Sequence, residues 1–316
     1  MITNIKNNTS KGLGILLMVL TSLFSTAQQD PAYTQYMFNT QTINPAYAGT
    51  WNTVGFMALT RHQWTGIDGA PKTYTFSVQA PLKNEKVALG LNVINDEIGL
   101  EKRFSLHADY SYRIKVSDKS HLRMGLKGGF TNYSHNLQAH QLSSSGGIDD
   151  PTFQGEINSD FMPNFGVGAF LYSTKYYVGL SVPQVLVNEF ENNYNNYKSE
   201  AQLRHYFLIA GAVFDLGENV KFKPTFLTKA TNGAPVQFDF TGNFLIKERF
   251  WLGAMYRTGD SYGFIAQWIF AQKLRLGYAI DFSINDLRHY SGGTHEIMVS
   301  YELKFRKERV VSPRYF

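Results

Sequence analysis

The sequence predicts an all-β fold, a transmembrane antiparallel β-barrel of about fourteen strands with an N-terminal plug or cap segment. Three observations carry this prediction. Apolar and polar residues alternate along runs of about ten residues. The connections between these runs are alternately long and short. The composition suits a barrel wall, since the 316 residues include 24 Phe, 19 Tyr and 27 Gly, only 17% charged residues, and no Cys.

Residues 1–27 are predicted to be a secretory signal peptide. Lys6 and Lys11 precede an apolar run over residues 13–24, which is shorter than the roughly 20 residues that a membrane helix needs. Small residues follow at Ser25 and Ala27. This order of positive, apolar and small residues is typical of a cleaved export signal, with cleavage near Ala27. An amphipathic anchor helix is the alternative.

Period-two alternation recurs along residues 51–305, which we assign to the barrel. In residues 73–82, for example, Tyr74, Phe76 and Val78 share one face, and Thr73 and Ser77 lie on the other. Strands of this length cross a bilayer when they are tilted. The predicted strands lie near 52–62, 72–82, 85–95, 101–115, 120–132, 163–173, 176–183, 203–215, 220–229, 236–246, 249–257, 262–270, 273–283 and 295–305.

The connections give an independent test of the barrel. Short connections follow every second strand, as do the short periplasmic turns of outer-membrane barrels, and this phase places both chain ends in the periplasm. The predicted long connections, on the external side, are residues 62–72, 133–163, 184–202, 230–235 and 284–294.

Aromatic residues near strand ends predict the interfacial girdles of a membrane barrel. We assign ten residues to these girdles: Trp51, Trp64, Tyr133, Tyr172, Tyr176, Tyr177, Trp251, Tyr256, Trp268 and Phe270. Ordinary core packing is the alternative for each single ring.

The inferred inner face carries both signs of charge. It indicates either a cross-braced polar lumen or a channel or docking cavity, and the lumen could be open or plugged. The residues assigned to this face are Arg61, His107, Asp109, Arg113, Arg123, Lys127, Lys221, Asp239, Asn243, Arg257, Arg275, Asp281, Glu302 and Lys304.

Signals of catalysis are weak, so we predict no enzyme, catalytic residue, cofactor or metal site. The eight His residues show no HExxH spacing, and no Gly-x-Ser-x-Gly or phosphate-loop motif occurs. His135 and His140 share a loop with several acidic residues, which could bind a divalent ion but is more often a solvated polar loop. Basic residues are not clustered as nucleic-acid binding requires.

Two terminal segments stand apart from the alternating region. Residues 28–50 are rich in aromatics that need burial, so we expect a plug or a periplasmic cap. Residues 306–316 form a basic tail that we place in the periplasm. The predicted partner-binding residues are Tyr33, Tyr36, Met37, Asn44, Pro45, Tyr47, Arg306, Lys307, Arg314, Tyr315 and Phe316.

Motifs in these segments carry a family resemblance. Tyr33-Thr34-Gln35-Tyr36-Met37 followed by Asn44-Pro45-Ala46-Tyr47-Ala48-Gly49, then Arg61-His62-Gln63-Trp64, and the closing Pro313-Arg314-Tyr315-Phe316 resemble the PorP/SprF family over the whole mature chain. The resemblance implies an outer-membrane barrel of the type IX secretion system of Bacteroidetes. It further implies links to adhesin export, gliding motility and a periplasmic ring complex, and it supplies no catalytic residues.

The sequence therefore predicts a non-enzymatic barrel that supports export or surface attachment of a cognate secreted protein and contacts the periplasmic machinery. The partners expected are that secreted protein, the type IX machinery and the outer membrane. Two other functions stay open. One is a diffusion porin or ligand channel, which liposome conductance would reveal, and the other is a purely structural anchor for the periplasmic complex.

Overall fold

The computed structural model describes residues 32–83, 85–135, 157–192, 197–271 and 273–303. The predicted signal peptide, the basic tail and most of the His135–His140 loop lie outside these residues. Within the described ranges, no helix is long and apolar enough to cross a membrane.

Antiparallel strands make up most of the described chain. The first seven are β1 (Val54–His62), β2 (Lys72–Pro81), β3 (Val87–Ile98), β4 (Glu101–Lys115), β5 (Ser120–His135), β6 (Ile157–Ser173) and β7 (Tyr176–Val182). The others are β8 (Asn188–Asn192), β9 (Tyr197–Gln202), β10 (His205–Ala212), β11 (Phe214–Asp215), β12 (Val220–Thr231), β13 (Gln237–Ile246), β14 (Phe250–Arg257), β15 (Ser261–Phe270), β16 (Leu274–Ser283) and β17 (Thr294–Leu303).

The main sheet closes into a barrel. β1 pairs with β17 from Val54 opposite Leu303 to His62 opposite His295, and β10 pairs with both β7 and β12. β11 continues β10 along β12 after a break at Val213. The barrel therefore has 14 strands, which confirms the predicted number. Closure matters because an unpaired strand edge in lipid would cost several kcal/mol for each backbone group.

Alternating residues divide between a polar interior and an apolar outer wall, as the period-two pattern predicts. In β2, the side chains of Thr73, Thr75 and Ser77 are buried, whereas Tyr74 and Phe76 are exposed on the outside. Most outward residues of the other strands are likewise aromatic or aliphatic, which suits contact with acyl chains.

The two ends of the barrel differ. At one end, which we call the short-turn end, brief turns join β2 to β3, β4 to β5 and β6 to β7, and the strands at the two chain ends, β1 and β17, begin and finish there. The opposite end, the long-loop end, carries connections such as residues 63–71 and 284–293. A hairpin that the sequence did not predict, β8–β9, lies within the connection between β7 and β10.

The girdle prediction was wrong for five of the ten aromatic residues. Trp51, Tyr133, Tyr172, Tyr177 and Trp251 are buried, with relative exposures between 0% and 6%. Tyr133, Tyr172, Tyr177 and Trp251 each lie an even number of positions from lumen-facing residues of the same strand, so their side chains also point into the lumen. Trp51 lies just before β1. By contrast, Tyr176, Tyr256 and Trp268 are exposed on the outer wall, at 43–47%.

Candidate functional site: the plugged lumen

Residues 33–51, which we call the plug, lie inside the barrel and fill much of its lumen. The plug contains one helical turn, α1 (Thr40–Ile43), and a 3₁₀ helix over Pro45–Tyr47. The local sequence explains the second turn, since the Asn44 side chain accepts a hydrogen bond from the amide of Ala46 at 2.9 Å and Pro45 supplies a helical φ. Gly49 then adopts a φ of +82°, which allows the chain to reverse toward β1.

The barrel wall supplies the hydrogen-bond partners that the plug backbone lacks. At the long-loop end, the carboxylate of Glu296 accepts hydrogen bonds from the backbone amides of Thr34, at 2.6 Å, and Gln35, at 3.0 Å. Arg61 donates to the same carboxylate at 2.6 Å and to Asp281 at 3.1 Å. Because backbone groups cannot stay buried without partners, these contacts fix the start of the plug.

A second arginine holds the same region of the plug. Arg257 donates to the Asp239 carboxylate at 2.8 Å and to the backbone carbonyl of Tyr33 at 3.2 Å, and it lies 3.5 Å from Asp260. Arg61, Arg257, Asp239, Asp281 and Glu296 are all at most 3% exposed. We refer to these five residues as the collar. Buried charges of this kind are stable only when they are paired and hydrogen-bonded, as the collar pairs are.

The middle of the plug is bound by polar residues of β3, β4 and β5. The Gln41 side-chain amide donates to Asp109 at 3.1 Å, and Asn92 donates to the same carboxylate at 2.6 Å. Lys127 donates to the carbonyl of Thr42 at 2.9 Å and lies 3.7 Å from Asp109. Asp109 and Lys127, both predicted on the inner face, therefore brace the plug as well as each other.

The last part of the plug is held at the short-turn end. Arg123 donates to the carbonyl of Gly49 at 3.0 Å, and Ser111 donates to the carbonyl of Ala48 at 2.6 Å. The side-chain oxygen of Gln79 accepts from the amide of Gly49 at 2.8 Å. The plug thus has fixed contacts at both ends of the lumen.

Aromatic residues complete the packing beside Phe38. The ring of Phe38 lies 5.8 Å from that of Trp251 in an edge-to-face arrangement. The Lys223 ammonium lies 4.8 Å from the centre of the Phe38 ring, and 5.7 and 5.8 Å from the rings of Tyr177 and Trp251. Cation–π contacts at these distances are attractive, the more so in a desolvated site.

The spaces left between plug and wall are small. A cavity of about 90 Å³ lies among Tyr33, Ile43, Lys127 and Phe207, and smaller ones of about 20 and 10 Å³ adjoin Asp239 and Asn39. Such volumes hold a few water molecules. The described lumen therefore forms a braced and largely filled interior.

The structure places six of the eleven predicted partner-binding residues in the plug, where they are buried: Tyr33, Tyr36, Met37, Asn44, Pro45 and Tyr47. The other five, Arg306, Lys307, Arg314, Tyr315 and Phe316, lie outside the described residues. A partner-binding role for any of them stays a prediction. Among the residues that the structure describes, no group of three or more His, Asp or Glu side chains could hold a metal ion.

Glu296 is the important lumen residue that sequence reasoning missed. The residue lies in the strand predicted near 295–305 but is absent from the predicted inner face. Its parity with Met298 and Ser300 would have placed it on that face, where the structure has all three. Its bonds to the plug backbone carry no sequence signal.

Three solved structures resemble this chain at sequence identities of 9–12%. Omp33 of Acinetobacter baumannii is 9% identical, with a TM-score of 0.47, and the match covers 79% of this chain and 99% of that chain. The toluene transporter TodX of P. putida is 10% identical (TM-score 0.49; 85% and 95% covered), and a FadL homologue of Pseudomonas aeruginosa is 12% identical (TM-score 0.42; 89% and 96% covered). These likenesses are too distant to carry a function.

The family comparison is more informative. A search of the curated proteins finds no match. The family model described as type IX secretion system membrane protein PorP/SprF matches residues 25–301, which includes the plug and all but the last two residues of β17. A closed barrel with an apolar wall, in a family of membrane proteins, is an outer-membrane protein. The chain therefore belongs to the PorP/SprF family of the type IX secretion system.

Proposed function

We propose that this barrel is a non-enzymatic component of type IX secretion that receives or holds one cognate secreted protein at the cell surface. Its external loops would contact that protein, and its periplasmic side would contact the secretion machinery. The observation that carries the proposal is the lumen, because a barrel occupied by its own plug is suited to binding other proteins rather than to passing solutes.

The connections at the long-loop end support a docking role. The amide of Thr65 donates to the carbonyl of Gly293 at 2.9 Å, and the amide of Gly292 donates to the carbonyl of Thr65 at 2.8 Å. A further bond of 2.8 Å runs from the amide of Gly99 to the carbonyl of Gly69. Three neighbouring connections are therefore joined into one rim. A rim with a fixed shape costs less conformational entropy when a partner binds than separate loops would.

Loss of the gene tests the proposal most directly. We expect a deletion strain to lose one or a few type IX proteins from its surface, measured by mass spectrometry of proteins shaved from intact cells. A plasmid copy of the full chain should restore them. Unchanged surface levels of every type IX protein would contradict the proposal.

The periplasmic contact is tested separately, by removal of residues 306–316. If the basic tail binds the machinery, the truncated barrel should reach the outer membrane at normal levels but no longer co-purify with periplasmic components. Co-purification that survives the truncation, together with normal secretion, would exclude the tail as the docking segment.

A further inference from the structure

The direction of the plug inside the barrel can be read from its contacts. The collar residues lie at the long-loop ends of their strands: Arg61 is the second-last residue of β1, Arg257 the last of β14, and Asp281 the third-last of β16. Asp239 is the third residue of β13 and Glu296 is the third residue of β17, and both strands start at that same end. These residues hold Tyr33, Thr34 and Gln35.

The other end of the plug lies at the opposite face. Arg123 is the fourth residue of β5, which starts at the short-turn end, and Gln79 is close to the end of β2, which finishes there. Both contact Gly49. Trp51 then packs beside Gly55, near the start of β1. The chain therefore descends through the lumen and enters the wall from the short-turn end.

The two faces of the barrel correspond to the two sides of the membrane. In outer-membrane barrels, short turns lie in the periplasm and longer loops lie outside. The long-loop end of this barrel is accordingly the cell-surface end. The collar lies beneath the surface rim formed by residues 63–71, 99–100 and 284–293.

We infer that the plug enters the lumen from the cell-surface side, so that its amino-terminal end at Ala32 is presented toward the outside and forms part of the surface that a secreted partner meets. Of the two expectations for residues 28–50, a plug or a periplasmic cap, this inference follows the plug for residues 33–50 and adds its direction. The direction of the plug rests on the collar contacts at one end, the Gly49 contacts at the other and the periplasmic position of short turns. The partner contact rests on the proposed function.

The contacts also explain why the amino-terminal end of the plug stays in place at the cell-surface end of the lumen. The Glu296 carboxylate accepts hydrogen bonds from two consecutive backbone amides of the plug and is itself paired with Arg61. These charge-assisted bonds hold the first residues of the plug. Arg257 adds a third bond, to the carbonyl of Tyr33. Ala32, the first described residue, is only partly buried.

Cysteine labelling tests the direction cleanly, because the natural chain has no Cys. Three single variants would be expressed in the native host: Ala32→Cys, Tyr290→Cys and Ser117→Cys. Tyr290 lies on the surface rim, with its side chain 76% exposed. Ser117 lies in an exposed turn at the short-turn end. Intact cells would be treated with a membrane-impermeant biotin maleimide. We expect labelling of the first two variants, and labelling of Ser117→Cys only after the outer membrane is permeabilised.

The partner contact has its own readout. Streptavidin bound to the biotin at residue 32 should reduce the surface level of the cognate secreted protein several-fold, whereas unlabelled Ala32→Cys cells should display it normally. Failure to label Ala32→Cys on intact cells, whether or not permeabilised cells are labelled, would overturn the inferred direction. Labelling without any effect of streptavidin would overturn the contact. Neither result depends on the gene-deletion test of the proposed function.

Discussion

Two residues of the collar, Arg257 and Glu296, pair with other collar residues and also bind the plug backbone. Arg257 shows this most clearly. Its guanidinium contacts the Asp239 carboxylate and the carbonyl of Tyr33, and it is 1% exposed. Removing one member of a buried ion pair leaves a charge without compensation, which is far more costly than loss of the attraction alone.

We therefore expect Arg257→Met to destabilise the folded barrel by about 3–5 kcal/mol. Denaturant unfolding of the purified protein in detergent micelles would measure the change. The control is Lys115→Met, which removes an exposed pair with Asp118 (64% and 94% side-chain exposure) and should cost less than about 1 kcal/mol. Equal losses for the two variants would argue against a stabilising collar. Adding Asp239→Asn to Arg257→Met should recover part of the loss.

Two tryptophans of the barrel wall point to opposite sides of it. Trp251 is fully buried against Phe38, whereas Trp268 is 47% exposed on the outer wall. In vesicles of brominated lipid, bromine quenches only rings near the acyl chains. We expect Trp268→Phe to remove much of the quenchable tryptophan fluorescence and Trp251→Phe to leave it nearly unchanged. The reverse order would show that the two rings face opposite ways from those described.

At the scale of elements, the plug and the wall fit closely where β5 passes the 3₁₀ helix. A Cβ added at Gly125 would clash with the backbone of Ala46 and Pro45. At Gly128, on the same strand, nothing lies within 4 Å of such an atom. A clash with backbone atoms of the plug cannot be relieved by a change of side-chain rotamer, so the plug itself would have to move.

Gly125→Ala should accordingly displace the plug, at a cost of roughly 1–3 kcal/mol, and Gly128→Ala should not. Limited chymotrypsin digestion of the folded protein would detect this, because the plug carries three Tyr and one Phe but no Lys or Arg. Mass spectrometry should find new cleavage within residues 33–47 in the Gly125 variant only. Identical fragments from both variants would contradict the close fit.

The wall elements could be predicted from sequence because alternation is strict wherever one face meets lipid and the other a polar interior. The β8–β9 hairpin was missed because residues 188–202 are mostly polar and give no period-two signal. The girdle prediction was wrong for five aromatic residues because it used only residue type and nearness to strand ends. Parity within the strand would have corrected Trp251, which lies six residues from the inward-facing Arg257.

The plug itself was only partly predictable. Its aromatic content showed that residues 28–50 need burial, but no periodicity indicates where. Its place depends on contacts between residues far apart in sequence, such as Thr34 with Glu296 and Arg257 with Tyr33. No pattern within a single segment carries that information.

As a whole, the molecule is a closed barrel whose lumen is occupied by its own N-terminal segment. Such a barrel should conduct little, because bonds at the collar and at Gly49 hold the plug across the full height of the lumen. Deletion of the plug should leave a lumen lined by polar and charged side chains.

Planar-bilayer conductance of the purified full chain measures whether the plug closes the lumen. We expect no stable large channel from the natural protein, and open channels from a variant lacking residues 33–48, once its folding is verified by heat-modifiable migration on gels. Stable large open channels in the natural protein would show that the plug does not close the lumen and would favour a diffusion porin.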